Sequence, residues 1–363
     1  MTIDRLKDFF RDKNLPLTAV IAASVFLGGS AGRADGPSPL SSEQGAKPSV
    51  ADPAGVPSRA GKVQANGITM AYESFGPTDR ETVLLIMGNG AQLTAWPVEL
   101  INELVQRGYQ VIIYDNRDVG LSTKFDAAGL PDLKAIIEER LAGRPGPLPY
   151  TLDDMAKDAV GLLDALGIKK AHIAGVSMGG MIAQLVAADH PEHTLSLTSI
   201  MATSGNAAWP LPAKPEVMAK LPPPSLDGGP DAIVARAVKM IRILAGPEYP
   251  PDEKRVRDMV VRTMKRSDYR PGMARHNAAA AVGFFEDRRA KLKTIRVPAV
   301  VIHGALDPLM PVEGGRDTAA NIPGAELRII PGMGHDLPIP LVKTIADGIT
   351  AAATRATGAK ARK

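Results

Sequence analysis

Ala171-His172-Ile173-Ala174-Gly175-Val176-Ser177-Met178-Gly179-Gly180-Met181 decides how the rest of this chain is read. An apolar run passes into a helical one through Gly-x-Ser-x-Gly. That is the form of a strand-to-helix elbow that lifts one hydroxyl above the edge of a sheet. So sharp a turn leaves no room for a Cβ beside the serine, and Gly175 and Gly179 remove it. Ser177 would sit at a helix N-terminus, where free N–H groups favour developing negative charge. In a chain with 35 glycines the motif alone is weak, so its context has to agree.

Outward from the elbow, apolar runs alternate with helical periodicity. Two short strands are expected from Lys62 to Tyr72 about an Asn66-Gly67 turn. Thr82–Met87 and Tyr109–Tyr114 are continuous apolar runs, which suit strands buried on both faces. Thr151 caps a helix that runs to Leu166, and His193–Met201 is a further strand. The order strand, helix, strand predicts an α/β fold with a mostly parallel sheet flanked by helices. The alternation stops at about residue 206 and resumes at about 295. Between them lie helical stretches near Asp231–Leu244, Asp252–Ser267 and Met273–Leu292. The expected organisation is a core of residues 61–205 and 295–353, interrupted by a helical cap at 206–294. Residues 251–296 carry 13 Lys/Arg against 6 Asp/Glu, read as solvated helix faces.

The ends read differently. Arg5, Lys7, Arg11 and Lys13 precede an apolar stretch from Leu15 to Gly29, and small residues follow at Ser30, Ala31 and Ala34. Residues 1–34 are therefore expected to be an export signal peptide, leaving a periplasmic or secreted protein with no stable membrane span. An uncleaved anchor is the alternative. Residues 35–60 are Pro-, Gly- and Ser-rich and read as a flexible linker, and 354–363 as a fraying tail.

With 363 residues the chain can bury a large core. It contains no cysteine, which excludes disulfides, a thiol nucleophile and thiolate metal sites. A formal charge of +4, with no basic stripe interleaved with aromatics, gives no nucleic-acid footprint.

A serine hydroxyl needs a base, and the base needs an orienting carboxylate. Of six histidines, His172 lies inside a strand, His190 and His193 flank a helix end, His276 is on a cap helix and His303 precedes a turn glycine. His335 lies in a Gly-rich loop at a strand's carboxyl end, where open α/β sheets place their chemistry. Asp307 follows the strand ending at Gly304, whereas the loop after Met201 has no acid, so Asp307 is the expected orienting carboxylate. The backbone N–H groups of Met178 and Asn89 are the expected oxyanion donors. Arg117 and Asp118 read as a paired brace near the site. Met178, Met181, Met201 and Trp209 line an apolar acyl pocket or belong to the core, and the sequence leaves both open.

Over residues 60–350 the chain resembles the α/β-hydrolase superfamily. Ile86-Met87-Gly88-Asn89-Gly90-Ala91-Gln92, Tyr114–Ser122 and Gly175–Gly180 look like the esterase group that includes aclacinomycin methylesterase, and His303-Gly304-x-x-Asp307 and Gly332-x-Gly334-His335 are also family-like. Many relatives carry His-Gly where this chain has Met87-Gly88, and a backbone donor does not need that imidazole. The resemblance implies a hydrolase of small-molecule carboxylic esters that uses Ser177, His335 and Asp307 with no metal or cofactor. The same residues could serve a cofactor-free perhydrolase, a C–C hydrolase or an acyltransferase. The remaining reading is a ligand-binding member without catalysis.

Overall fold

The computed structural model describes residues 56–360 apart from 57, 143, 145, 207–216, 218–219 and 222–228. The expected signal peptide, most of the linker, the entry to the cap and Trp209 lie outside the described residues. Eight strands form one sheet: β1 (Ser58–Ala65), β2 (Ile68–Phe75), β3 (Thr82–Ile86), β4 (Gln110–Tyr114), β5 (Ala171–Val176), β6 (Thr194–Ile200), β7 (Ala299–Gly304) and β8 (Glu326–Ile330). Their spatial order is β1-β2-β4-β3-β5-β6-β7-β8. Pairings β1–β2 and β2–β4 are antiparallel and the others parallel. The expected mostly parallel sheet is borne out.

The apolar runs are continuous because both sheet faces are covered. Val83, Leu85, Val111, Ile113 and Ala174 face one layer, with α1 (Val98–Gln106) and the C-terminal helix. Leu84, Ile86, Ile112 and Ile173 face the other, under α3 (Leu152–Ala165) and α4 (Met178–Asp189), while α2 (Leu133–Leu141) lies against residues 270–285. Successive residues of a strand thus serve opposite layers. Thr151 begins α3 through a reciprocal capping box with Asp154.

Two expected boundaries move. The β1–β2 hairpin turns on Asn66 and Gly67, at φ 47° and 77°, the left-handed pair of a tight hairpin. Its ladder continues to Ser58↔Phe75, so residues 58–60 are strand where linker was expected. At the other end the last helix runs to Lys360 where a fraying tail was expected. Ala356 is buried there, and Arg355 donates to the Ala299 carbonyl at 2.7 Å, tying the helix to the foot of β7.

The cap comprises α5 (Pro230–Leu244), α6 (Glu253–Arg266) and α7 (Arg270–Phe285). The expected helix over Met273–Leu292 breaks at Glu286, which is extended (φ −80°, ψ 108°), before the short α8 (Arg289–Leu292). The break lets the buried Arg288 guanidinium donate to Thr203 O at 2.7 Å, while its backbone N–H donates to Ser204 O. The core closes with α9 (Val312–Asn321) and α10 (Val342–Lys360).

Several cap arginines are not solvated, contrary to the reading of 251–296. Arg275 grips Asp118 with two bonds, 2.7 and 2.9 Å, and both side chains are almost fully buried. Arg266 reaches the buried Asp115 at 2.6 Å, whereas Arg255 pairs with Glu99 and stays partly exposed. Arg117 and Asp118 are both paired as expected of a brace, but not with each other: Arg117 holds Asp158 at 2.6 and 2.7 Å.

Removing one partner from a buried pair strands the other charge, which costs about 3–5 kcal/mol. Arg275→Met is therefore expected to lower unfolding stability by about that amount in urea denaturation. Lys254→Met, which breaks a fully solvated pair with Asp258, should leave the midpoint unchanged.

Candidate active site

Ser177 sits at φ 57°, ψ −123°, between β5 and α4. A Cβ on Gly175 would lie 2.0 Å from the Gly179 carbonyl oxygen, and one on Gly179 would lie 2.1 Å from that of Ile86. Both glycines are therefore required by close backbone approach, as the sequence predicts. Ser177 N–H donates to Ile200 O at 2.9 Å, and Ser177 O accepts from Gly180 and Met181. Met178 is the first residue of α4, so its N–H has no intrahelical partner.

His335 and Asp307 arrive from two other strand ends. Asp307 lies in the loop after β7, where one carboxylate oxygen accepts from the N–H groups of Leu309 (2.9 Å) and Met310 (2.7 Å). Its other oxygen accepts from His335 Nδ1 at 2.7 Å. His335 Nε2 is then left as acceptor, 3.0 Å from Ser177 Oγ. The His335 backbone N–H donates to Leu244 O, so the end of cap helix α5 fixes the imidazole loop. Three residues spread over 158 positions of sequence thus form one relay.

None of the other histidines joins it. His172 bonds Ser196 and Glu81 in the sheet, and His193 bonds Asp164 and Glu192. His303 lies behind Asp307, donating through Nε2 to Met310 O at 2.9 Å, and burial lowers its pKa. Its ring lies 3.5 Å from Asp307 Oδ2, and the Asp307 charge opposes that lowering. His190, Glu192 and His193 bring three possible metal ligands within 4.8 Å of one another. They cluster at the far end of α4 from Ser177, outside the cavity.

The β3–α1 loop lies against the serine: a Cβ on Gly88 would be 3.2 Å from that of Ser177. This places Asn89, the expected oxyanion donor, in the loop beside Ser177. Met87, which stands where many relatives have histidine, packs into the apolar layer, and its carbonyl accepts from Asn116 at 3.1 Å. Two residues to which the sequence reading gave no part in the site, His276 (placed only on a cap helix) and Asn277 of α7, also reach this loop. No local pattern signals them, because the pairs are separated by 186 and 188 residues.

Above the serine is a cavity of about 730 Å³ between core and cap. Met178, Met181 and Met201 line its floor and Met240, Met259 and Met273 its roof. The two openings left for the first three are both filled: they line the cavity and are buried core. Among the described residues no helix is long and apolar enough to cross a membrane.

Asp336 also faces the cavity, next to His335, and its Oδ1 is buried with no partner among the described residues. Burial pushes this carboxyl up to about 6, reinforced by Asp307 and opposed by His335. A carboxyl with its pKa raised by folding penalises the fold wherever it is ionised, so the penalty is full above pH ~6 and absent below pH ~4. Asp336→Asn is expected to raise the guanidinium midpoint at pH 8, with the gain disappearing as pH falls from 6 to 4. A difference independent of pH would contradict this account.

The comparisons with known proteins agree with this architecture. A family model for the alpha/beta hydrolase fold matches residues 81–340. The chain is 30% identical over 323 residues to rhodomycin D methylesterase DauP of Streptomyces sp. (strain C5), covering 80% of this chain and 96% of that protein. It is 29% identical over 324 residues to rhodomycin D methylesterase DnrP of Streptomyces peucetius, with the same coverage. Among solved structures, the enol-lactonase from Burkholderia xenovorans LB400 superposes with a TM-score of 0.60 at 22% identity, over 81% of this chain and 99% of that one. The resemblance carried by the motifs is borne out, and this chain belongs to the α/β-hydrolase fold family.

Proposed function

We propose that the chain hydrolyses carboxylic esters through an acyl-enzyme formed on Ser177. The observation that carries this reading is the unbroken relay Ser177 Oγ–His335 Nε2–Asp307 at 3.0 and 2.7 Å, at the floor of an apolar cavity. Such a relay raises the nucleophilicity of a hydroxyl that is inert by itself near neutral pH. The methylesterase relatives support the same bond class.

Ser177 Oγ attacks the ester carbonyl carbon and gives its proton to His335 Nε2. Asp307 stabilises the resulting imidazolium and holds its Nδ1–H in place. The carbonyl oxygen becomes an oxyanion between the N–H groups of Met178 and Asn89. The tetrahedral adduct collapses, the C–O bond to the alcohol breaks, and His335 delivers the proton to the departing oxygen. Water then enters, gives a proton to His335 and attacks the acyl carbon. A second collapse returns Ser177 Oγ to its hydroxyl and frees the carboxylic acid. None of these steps requires a metal or cofactor.

The methionine-rich walls favour esters with a bulky apolar part, because flexible thioethers adapt to irregular apolar shapes. The leader-like segment 1–34 supports export of the mature chain, which N-terminal sequencing of the cell-envelope and secreted fractions would read.

The test is turnover of p-nitrophenyl esters, from acetate to long acyl chains, beside fluorophosphonate labelling. Ser177→Ala is expected to abolish both, and Asp307→Asn to lower kcat about 10⁴-fold with the fold intact. Labelling of Ser177 without ester turnover would move the reading to perhydrolysis, C–C cleavage or acyl transfer. Folded protein that fails to label would overturn Ser177 as an activated nucleophile.

A further inference from the structure

The loop beside Ser177 is held by the cap as well as by the core. Helix α7 presents Met273, His276, Asn277 and Ala280 at i, i+3, i+4 and i+7, one face of a helix. Met273 and Ala280 line the cavity, while His276 and Asn277 are polar and almost fully buried. Burying such groups costs free energy unless each finds a partner. Their partners are on the oxyanion loop. His276 Nδ1 accepts from Gly90 N–H at 3.1 Å, and Nε2 donates to Arg117 O at 2.6 Å. Asn277 Oδ1 accepts from the Asn89 side-chain amide at 2.7 Å.

These bonds flank one group. The Asn89 N–H is preceded by Gly88, which packs on Ser177, and followed by Gly90, whose N–H His276 pins. The Asn89 side chain itself is tied to Asn277. Gly90 is at φ 64°, and a Cβ there would lie 2.0 Å from Met273 Sδ, so α7 lies directly on this turn. The imidazole can accept from Gly90 only while neutral, and burial keeps it so by lowering its pKa to about 4. Beside it, Arg275 fastens the same helix to Asp118.

We infer that His276, assisted by Asn277, is a positioning residue that aims the Asn89 backbone N–H at the oxyanion, so that cap helix α7 completes the oxyanion site. This rests on the ester-hydrolase reading given above. His276 does not touch the reacting atoms; it acts through Gly90. Loss of its bond leaves the donor present and poorly aimed. A misplacement of about 1 Å at a reacting centre costs on the order of 10²-fold in rate.

The experiment measures kcat and KM for p-nitrophenyl butyrate, with thermal melting as a control, in wild type, His276→Gln, His276→Phe and Asn277→Leu. Phe fills the space without an acceptor, and kcat is expected to fall about 10- to 100-fold with KM within about threefold. Gln can both accept from Gly90 N–H and donate to Arg117 O, so it should restore kcat to within about threefold of wild type. Asn277→Leu, which keeps the His276 bonds, should lower kcat about 10-fold and serves if the Phe variant does not fold. An unchanged kcat in folded His276→Phe or Asn277→Leu would overturn the inference alone. So would a Gln variant as impaired as Phe, or losses confined to KM and melting temperature. A wild type without ester turnover would overturn the functional reading and, with it, this inference.

Discussion

Ser177 holds a backbone conformation that costs a non-glycine residue on the order of 1–3 kcal/mol, and the architecture around it exists to keep it there. β5 lies between β3 and β6, so the strand cannot relax sideways. The Ile200 carbonyl holds the serine N–H, and α4 begins immediately after the turn. The glycines at 175 and 179 let the Ile86 strand end and the helix start come close enough for this to happen. Once the serine is lifted, the two loops that supply His335 and Asp307 have a fixed target.

The site is closed by ionic and polar contacts that would be costly in isolation. Asp115 and Asp118, both on the loop after β4, are buried, and each is matched by an arginine from the cap, Arg266 and Arg275. A buried carboxylate without its partner is strongly unfavourable, so each pair locks the cap against the core loop. Asp118, at φ 65°, is also in the left-handed region, and its side chain also accepts from Phe125 N–H at 2.8 Å. The basic composition of the cap is thus spent in part on docking. Close to these pairs, His276 and Asn277 carry the same cap helix onto the loop of Asn89 and Gly90, and Leu244 carries α5 onto the His335 loop. Cap and core share the job of arranging the site.

Much of this is legible in the sequence alone. The elbow glycines follow from steric need at a sharp turn. The buried strands follow from uninterrupted apolar runs, and Asp307 and His335 from their places at strand ends. The features that differ from the local pattern have a common cause. Residues 58–60 and 355–360 look unstructured by composition but are ordered by distant partners, β2 and Ala299. The break after Phe285 is set by Arg288 finding carbonyls of the β6 loop. Arg266 and Arg275 look like solvated charges until Asp115 and Asp118, more than 150 residues away, are placed against them.

The sequence by itself determined the parallel α/β sheet, the elbow and the choice of Ser177, Asp307 and His335 as candidate site residues, because each depends on local sterics, periodicity or position relative to a strand end. Only the tertiary structure decided how those three converge, which charges are buried, how large the apolar cavity is, and that His276 and Asn277 hold the loop carrying Asn89. Those are contacts between residues far apart in the chain. The free energy that selects them comes from burial and pairing, and neither has a local signature.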